Sequence, residues 1–141
     1  KSILVTGGTG SFGKAFVRDP VSGRIRGWNV RMRQGVDAWT PALFRGRAVT
    51  YGHYEVIDEP QGQLSDLYPN AFMIDYGKGG NRSWDPLALV RDWVVAVDDD
   101  VLVGRMYLSL GGRQVATPSY FALARGGPLT ELVAPPVRLL A

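Results

Sequence analysis

From residue 21 onward, apolar and polar side chains alternate with period two, and turn residues interrupt them every few positions. Successive side chains of a strand point to opposite faces, so such alternation describes half-buried β structure and leaves no room for a long helix. The clearest unit is a hairpin. Leu89–Val97 is apolar except for Arg91 and Asp92, Asp98-Asp99-Asp100 turns the chain, and Val101–Leu110 returns. On the return strand Leu102, Gly104, Met106, Leu108 and Leu110 share one face, with Arg105, Tyr107 and Ser109 on the other. Arg24–Arg33 sets Trp28, Val30 and Met32 against Asn29, Arg31 and Arg33 in the same way. Phe44–Ile57 reads as one long strand whose Gly46, Ala48 and Gly52 mark a bend. Further strands are expected at Ala71–Tyr76, Arg113–Ala116 and Tyr120–Arg125, with a loop over Gly77–Pro86. Six or seven antiparallel strands without a helix layer predict a barrel, because closure removes exposed edges.

Composition narrows the chemistry. A chain of 141 residues is of single-domain size. The absence of Cys rules out disulfides and thiolate chemistry, and His53 as the only histidine rules out a His-rich metal site. No apolar run approaches the roughly 20 residues that span a bilayer. No basic-then-apolar leader is visible, so no membrane partner and a cytoplasmic location are expected. The net charge of +3 is uneven: Arg24, Arg26, Arg31, Arg33, Arg45 and Arg47 face only Asp37, a local +5. Such a cluster suits either a solvated strand face or an anion.

Residues 1–18 carry a different signature. Ile3-Leu4-Val5 reads as a buried strand, and Thr6-Gly7-Gly8-Thr9-Gly10-Ser11-Phe12-Gly13 follows it. Glycines at this spacing let the backbone approach a pyrophosphate at a helix N-terminus. The segment resembles the first βα unit of the extended short-chain dehydrogenases/reductases, of the nucleotide-sugar dehydratase and epimerase type. That resemblance implies a strand–loop–helix opening and an NAD(P) site at Gly7, Gly10 and Gly13. The rest of the chain departs from the family. Asp19-Pro20 stops the helix almost at once, Ile74 stands where the Tyr of a Tyr-x-x-x-Lys pair with Lys78 belongs, and Asp37 lacks a preceding apolar strand. Lysine usage changes too: residues 19–141 use arginine at twelve of thirteen basic positions, whereas Lys1 and Lys14 fall in the opening segment. The expected division is a Gly-rich segment over residues 1–20, of foreign origin, and a β-barrel domain over 21–141. No cofactor is favoured, and NAD(P) belongs only to the dehydrogenase alternative.

Residues 70–125 resemble an uncharacterised bacterial β domain that follows a Gly-x-Trp-x-Gly module. The matching residues are Ala71-Phe72-Met73-Ile74-Asp75-Tyr76, the strand from Arg91, Val101-Leu102-Val103-Gly104 and Tyr120–Arg125. The resemblance carries no chemistry with it. The overall expectation is a mainly β fold, a small calycin- or lipocalin-like antiparallel barrel of six or seven strands behind a short Gly-rich strand–loop–helix segment.

A small barrel holds one apolar ligand in a mouth lined by aromatics and a few polar groups. The chain offers such aromatics in Trp28, Tyr51, Tyr54, Phe72, Tyr76, Trp84, Trp93, Tyr107 and Tyr120. Of these, Trp28, Tyr51, Tyr54, Tyr76, Trp93 and Tyr107 are the candidate ligand-binding residues, with Arg91 to orient a polar end. Arg91 and Asp92 point to opposite faces, so at most one is inside; a structural Arg–Asp pair is the alternative. The candidate catalytic groups are His53, Asp75 and Asp92, with Tyr51 and Glu55 expected on the face of His53. No metal site is indicated. The leading expectation is a barrel that binds a small apolar or amphipathic molecule. The alternatives are a cofactor-independent isomerase, cyclase or dehydratase using Tyr, His and Asp groups, and a fragment of an NAD(P)-dependent nucleotide-sugar enzyme. A homodimer is compatible with the sequence. Nucleic acid is not favoured as a partner, since it requires the Arg24–Arg47 cluster to share a face with aromatics.

Overall fold

The computed structural model describes residues 2–7, 12–35 and 39–128. β1 (Ser2–Gly7) and β2 (Phe12–Arg18) form an antiparallel pair, and β3 (Ile25–Gln34) runs back beside β2. β4 (Trp39–Pro41) adds to the end of β3, while β5 (Leu43–Phe44) and β6 (Arg47–Ala48) make a separate small hairpin. Next come β7 (Thr50–Ile57), the one-turn helix α1 (Gln63–Leu67) and β8 (Phe72–Asp75). Two 3-10 turns, Tyr76–Lys78 and Pro86–Leu89, precede β9 (Val90–Ala96), β10 (Val101–Leu110) and the long β11 (Arg113–Pro128). Ladders join β1 to β2, β2 to β3, β3 to β7, and then β8, β9, β10 and β11 in turn; β11 pairs with β1. The order returns on itself, and every ladder is antiparallel.

The barrel is the expected architecture, but its strands differ from the expectation in three places. The N-terminal segment is not strand–loop–helix. β2 continues the period-two pattern, with Phe12, Lys14 and Phe16 on one face and Gly13, Ala15 and Val17 on the other. Asp19-Pro20 therefore ends a strand rather than a helix. Asp19 Oδ1 accepts the Val21 N–H at 2.8 Å, and Gly23 at φ 71 completes the turn into β3. The segment thus supplies two strands to a ring of eight instead of six or seven. Second, Phe44–Ile57 is not one strand, because Arg45 and Gly46 both have positive φ and fold a two-residue hairpin turn. Third, Arg113–Ala116 and Tyr120–Arg125 are one strand that bulges opposite Arg105 and Tyr107.

Interior and exterior follow from the register. Inside the ring lie Tyr54, Ile74, Tyr76, Val90 and Val94, packed with Phe16, Val56, Phe72, Leu102, Met106 and Phe121. Two interior glycines carry aromatic rings directly on their backbone. A Cβ on Gly27 would come within 2.0 Å of the Ala15 carbonyl and 2.5 Å of the Tyr54 ring; one on Gly104 would meet Phe121 at 2.2 Å. Two smaller apolar clusters lie outside. Trp28, Val30 and Met32 pack with Ala15 and with Ala48 of the β5–β6 hairpin. Ala71, Trp93 and Tyr107 pack under Leu64 and Tyr68 around α1.

Candidate functional site

A lysine side chain crosses the barrel interior. Lys14 lies opposite Asn29 in the β2–β3 ladder, so both side chains point the same way, inward. Its Nζ donates to Asn29 Oδ1 at 2.9 Å and to Tyr76 Oη, and stands 3.4 Å from Asp92 Oδ2. Rings of Phe12, Tyr54, Tyr76 and Phe121 surround the ammonium with centroids 5.1 to 5.4 Å away, a cation–π box. Asn29 Nδ2 donates onward to the Gly52 carbonyl, and Tyr54 Oη donates to the Ala15 carbonyl at 2.8 Å. Almost every polar atom is therefore paired, as a buried charge requires. Burial holds the Lys14 amine below its ordinary range, and Asp92 pulls it partly back. Burial raises the Asp92 carboxyl, against the pull of Lys14. Burial likewise pushes both Tyr54 and Tyr76 well above the usual phenol range.

The second feature is an opening at one end of the ring. Phe16, Ile25, Val56, Phe72 and Leu102 wall an apolar cavity of about 240 Å³. Its rim carries Asp58, Asp99, Asp100 and Arg125, of which Arg125 Nε and Asp100 Oδ1 are 3.6 Å apart. Phe16 links the two features: it lines the cavity and packs on Tyr54, which faces Lys14, at a ring distance of 5.7 Å.

The candidate residues separate into distinct places. Tyr54, Tyr76 and Asp92 meet in the interior around Lys14. Arg91 lies opposite Asp75 in the β8–β9 ladder and pairs with it at 2.9 Å on the outer side, which makes these two a structural pair. Asp75 also caps the following 3-10 turn through the Gly77 N–H. Trp28 is buried on the outer face of the sheet. Trp93 and Tyr107 are outside as well: Trp93 Nε1 donates to Gln114 Oε1 at 2.7 Å, and Tyr107 shares a hydrogen bond with Tyr68. Trp93 forms part of an open outer groove beside Leu64 and Gln114. None of the seven candidate ligand residues lines the mouth cavity.

The expected His53 face is not formed. Tyr51 pairs with Asn29 and Tyr54 with Gly27, so a bulge absorbs one residue between them, with Gly52 at φ 58. The bulge breaks the alternation, and Tyr51 ends on the face opposite to Glu55. Glu55 instead binds Arg24 and Arg26 outside. The backbone of His53 is clamped by Asn81, whose Oδ1 accepts its N–H at 3.0 Å and whose Nδ2 donates to its carbonyl at 2.7 Å. Of the glycines expected to cradle a cofactor, Gly7 ends β1 and Gly13 is buried in β2; Gly10 lies outside the described residues.

Sequence reasoning named Phe72 among the aromatics of a barrel mouth but missed Lys14, Asn29 and the other four cavity walls. The available signal was the Phe12-x-Lys14-x-Phe16 alternation, which places a lysine on an apolar strand face.

These features define a small antiparallel β-barrel with a buried lysine centre and an apolar, charge-rimmed opening. Searches of family models, curated proteins and solved structures find no match to the chain. Among the described residues no helix is long and apolar enough to cross a membrane.

Proposed function

We propose that the protein binds a small, mostly apolar molecule in the open end of the barrel. The observation that carries this reading is the apolar cavity walled by Phe16, Ile25, Val56, Phe72 and Leu102 beneath a ring of charges. Its volume of about 240 Å³ falls between a benzene-sized hole of roughly 150 Å³ and drug-sized pockets of roughly 300 Å³ and above. One ring or a short branched chain fits, and the ligand's polar end meets Arg125 and the three aspartates. Binding is favoured over catalysis because Asp92, the raised carboxylate, is already taken by Lys14 and does not line the cavity.

The test titrates p-cresol, a single ring with one polar end, into the protein by isothermal calorimetry. Saturable heat with the wild type, lost in Val56→Trp and kept in Trp93→Phe, supports the proposal. No saturable heat with the wild type, or equal heat with wild type and Val56→Trp, refutes it.

A further inference from the structure

The fold sorts five of the six arginines between residues 24 and 47 into two groups. Arg24 and Arg26 are taken up by Glu55 on the outside of β7. Arg31, Arg45 and Arg47 converge with Phe44 and Thr50 on a groove of about 720 Å³ between β3 and the β5–β6 hairpin. Among the described residues no acidic side chain lines this groove, and none of its three arginines makes an ion pair. Phe44 is 67% exposed, and the Arg45 guanidinium lies over its ring at 5.3 Å.

The backbone adds an independent observation. Arg45 has φ 51 and is the only non-glycine at positive φ among the described residues. It occupies the first position of a two-residue hairpin turn, where Asn, Asp or Gly is the usual residue. A guanidinium is kept where the backbone favours something smaller, and such strain collects at functional sites.

We propose that this groove binds single-stranded nucleic acid, with Arg31, Arg45 and Arg47 on backbone phosphates and Phe44 stacked on a base. A basic track beside an exposed aromatic ring is the arrangement that holds unpaired nucleotides, whose faces are free to stack. The groove takes Arg31 from β3 and Thr50 from β7; the acidic mouth takes Ile25 and Val56 from the other ends of the same two strands. Charge is therefore split along the barrel axis, and a polyanion is steered to the arginine end. The site is separate from the apolar cavity and does not depend on its occupancy.

Fluorescence anisotropy with a short labelled oligothymidylate tests the proposal. Wild-type affinity should fall with salt with a log–log slope of about −2, as three phosphate contacts on a single strand require. Arg31→Gln with Arg47→Gln should bring the slope to about −0.7. Phe44→Leu should weaken binding about tenfold at an unchanged slope, because it removes stacking and no charge. Arg45→Gly separates binding from folding: it relieves the turn, so Tm should hold or rise while affinity falls about tenfold. Absence of salt-dependent binding by the wild type, or unchanged binding by Arg45→Gly, overturns the proposal. It is equally overturned if inorganic tripolyphosphate binds as tightly as the oligonucleotide, or if phosphatidylglycerol vesicles capture the protein where the oligonucleotide does not.

Discussion

Lys14 Nζ and Asp92 Oδ2 face each other at 3.4 Å inside the barrel, with side chains only 2% and 5% exposed. Removing one member of such a pair strands the other charge in a dry interior, at about 3 to 5 kcal/mol. Lys14→Met and Asp92→Leu are each expected to destabilise by that amount, whereas the double variant recovers most of the loss. Urea denaturation of the three variants measures the cycle; additive losses would contradict it.

Asp92→Asn keeps the shape of the pair and removes its negative charge. Lys14 is then left with neutral oxygens and aromatic faces, so desolvation acts on its amine unopposed by Asp92. The amine should titrate at lower pH than in the wild type, as followed by NMR of the Lys14 side chain. An unchanged titration would mean that Asp92 does not hold the charge.

The interior phenols make stability fall in alkali. Tyr54 and Tyr76 are raised well above 10 in the folded state, so above pH 10 the unfolded chain loses its phenol protons first. Stability then drops by about 1.4 kcal/mol per pH unit for each phenol. Lys14 acts oppositely below that range. Its folded value lies under 10.5, the folded state holds fewer protons, and stability rises with pH up to about 10.5. The expected curve climbs toward pH 10 and then falls. Tyr54→Phe should shallow the alkaline limb by about 1.4 kcal/mol per unit, which chemical denaturation at several pH values would read.

The two interior glycines differ in what blocks a side chain. At Gly104 the obstacle is the Phe121 ring, which can tilt; at Gly27 it is the Ala15 carbonyl, fixed in the β2–β3 ladder. Gly104→Ala is expected to cost about 1 to 3 kcal/mol, as overpacking does. Gly27→Ala should cost more, and thermal melts of the pair rank them.

Much of the barrel was legible because its strands alternate strictly. The β9–β10 hairpin lies where Leu89 through Leu110 indicate, and the opposed directions of Arg91 and Asp92 follow from period two alone. What alternation cannot supply is the face that becomes the interior. Trp28, Trp93 and Tyr107 are as apolar as Tyr54, yet they pack outside under a hairpin and a short helix. Bulges are equally silent: the extra residue at Gly52 moves Tyr51 away from the face of Glu55. At the N-terminus the glycine pattern is shared with dinucleotide folds, and only the simpler Phe-x-Lys-x-Phe alternation marks Lys14.

The pairing of β1 with β11 also orders events in time. Ile3 lies opposite Pro128, so the first described strand finds its second neighbour only when the last described strand has emerged. Until then β1 and β10 are open edges, and closure waits on a contact between distant parts of the chain. Such non-local pairing belongs to the slow, millisecond-to-second end of folding rates. A nascent chain lacking β11 therefore presents two unpaired strands to its surroundings, and its exposure to aggregation ends only with closure of the ring.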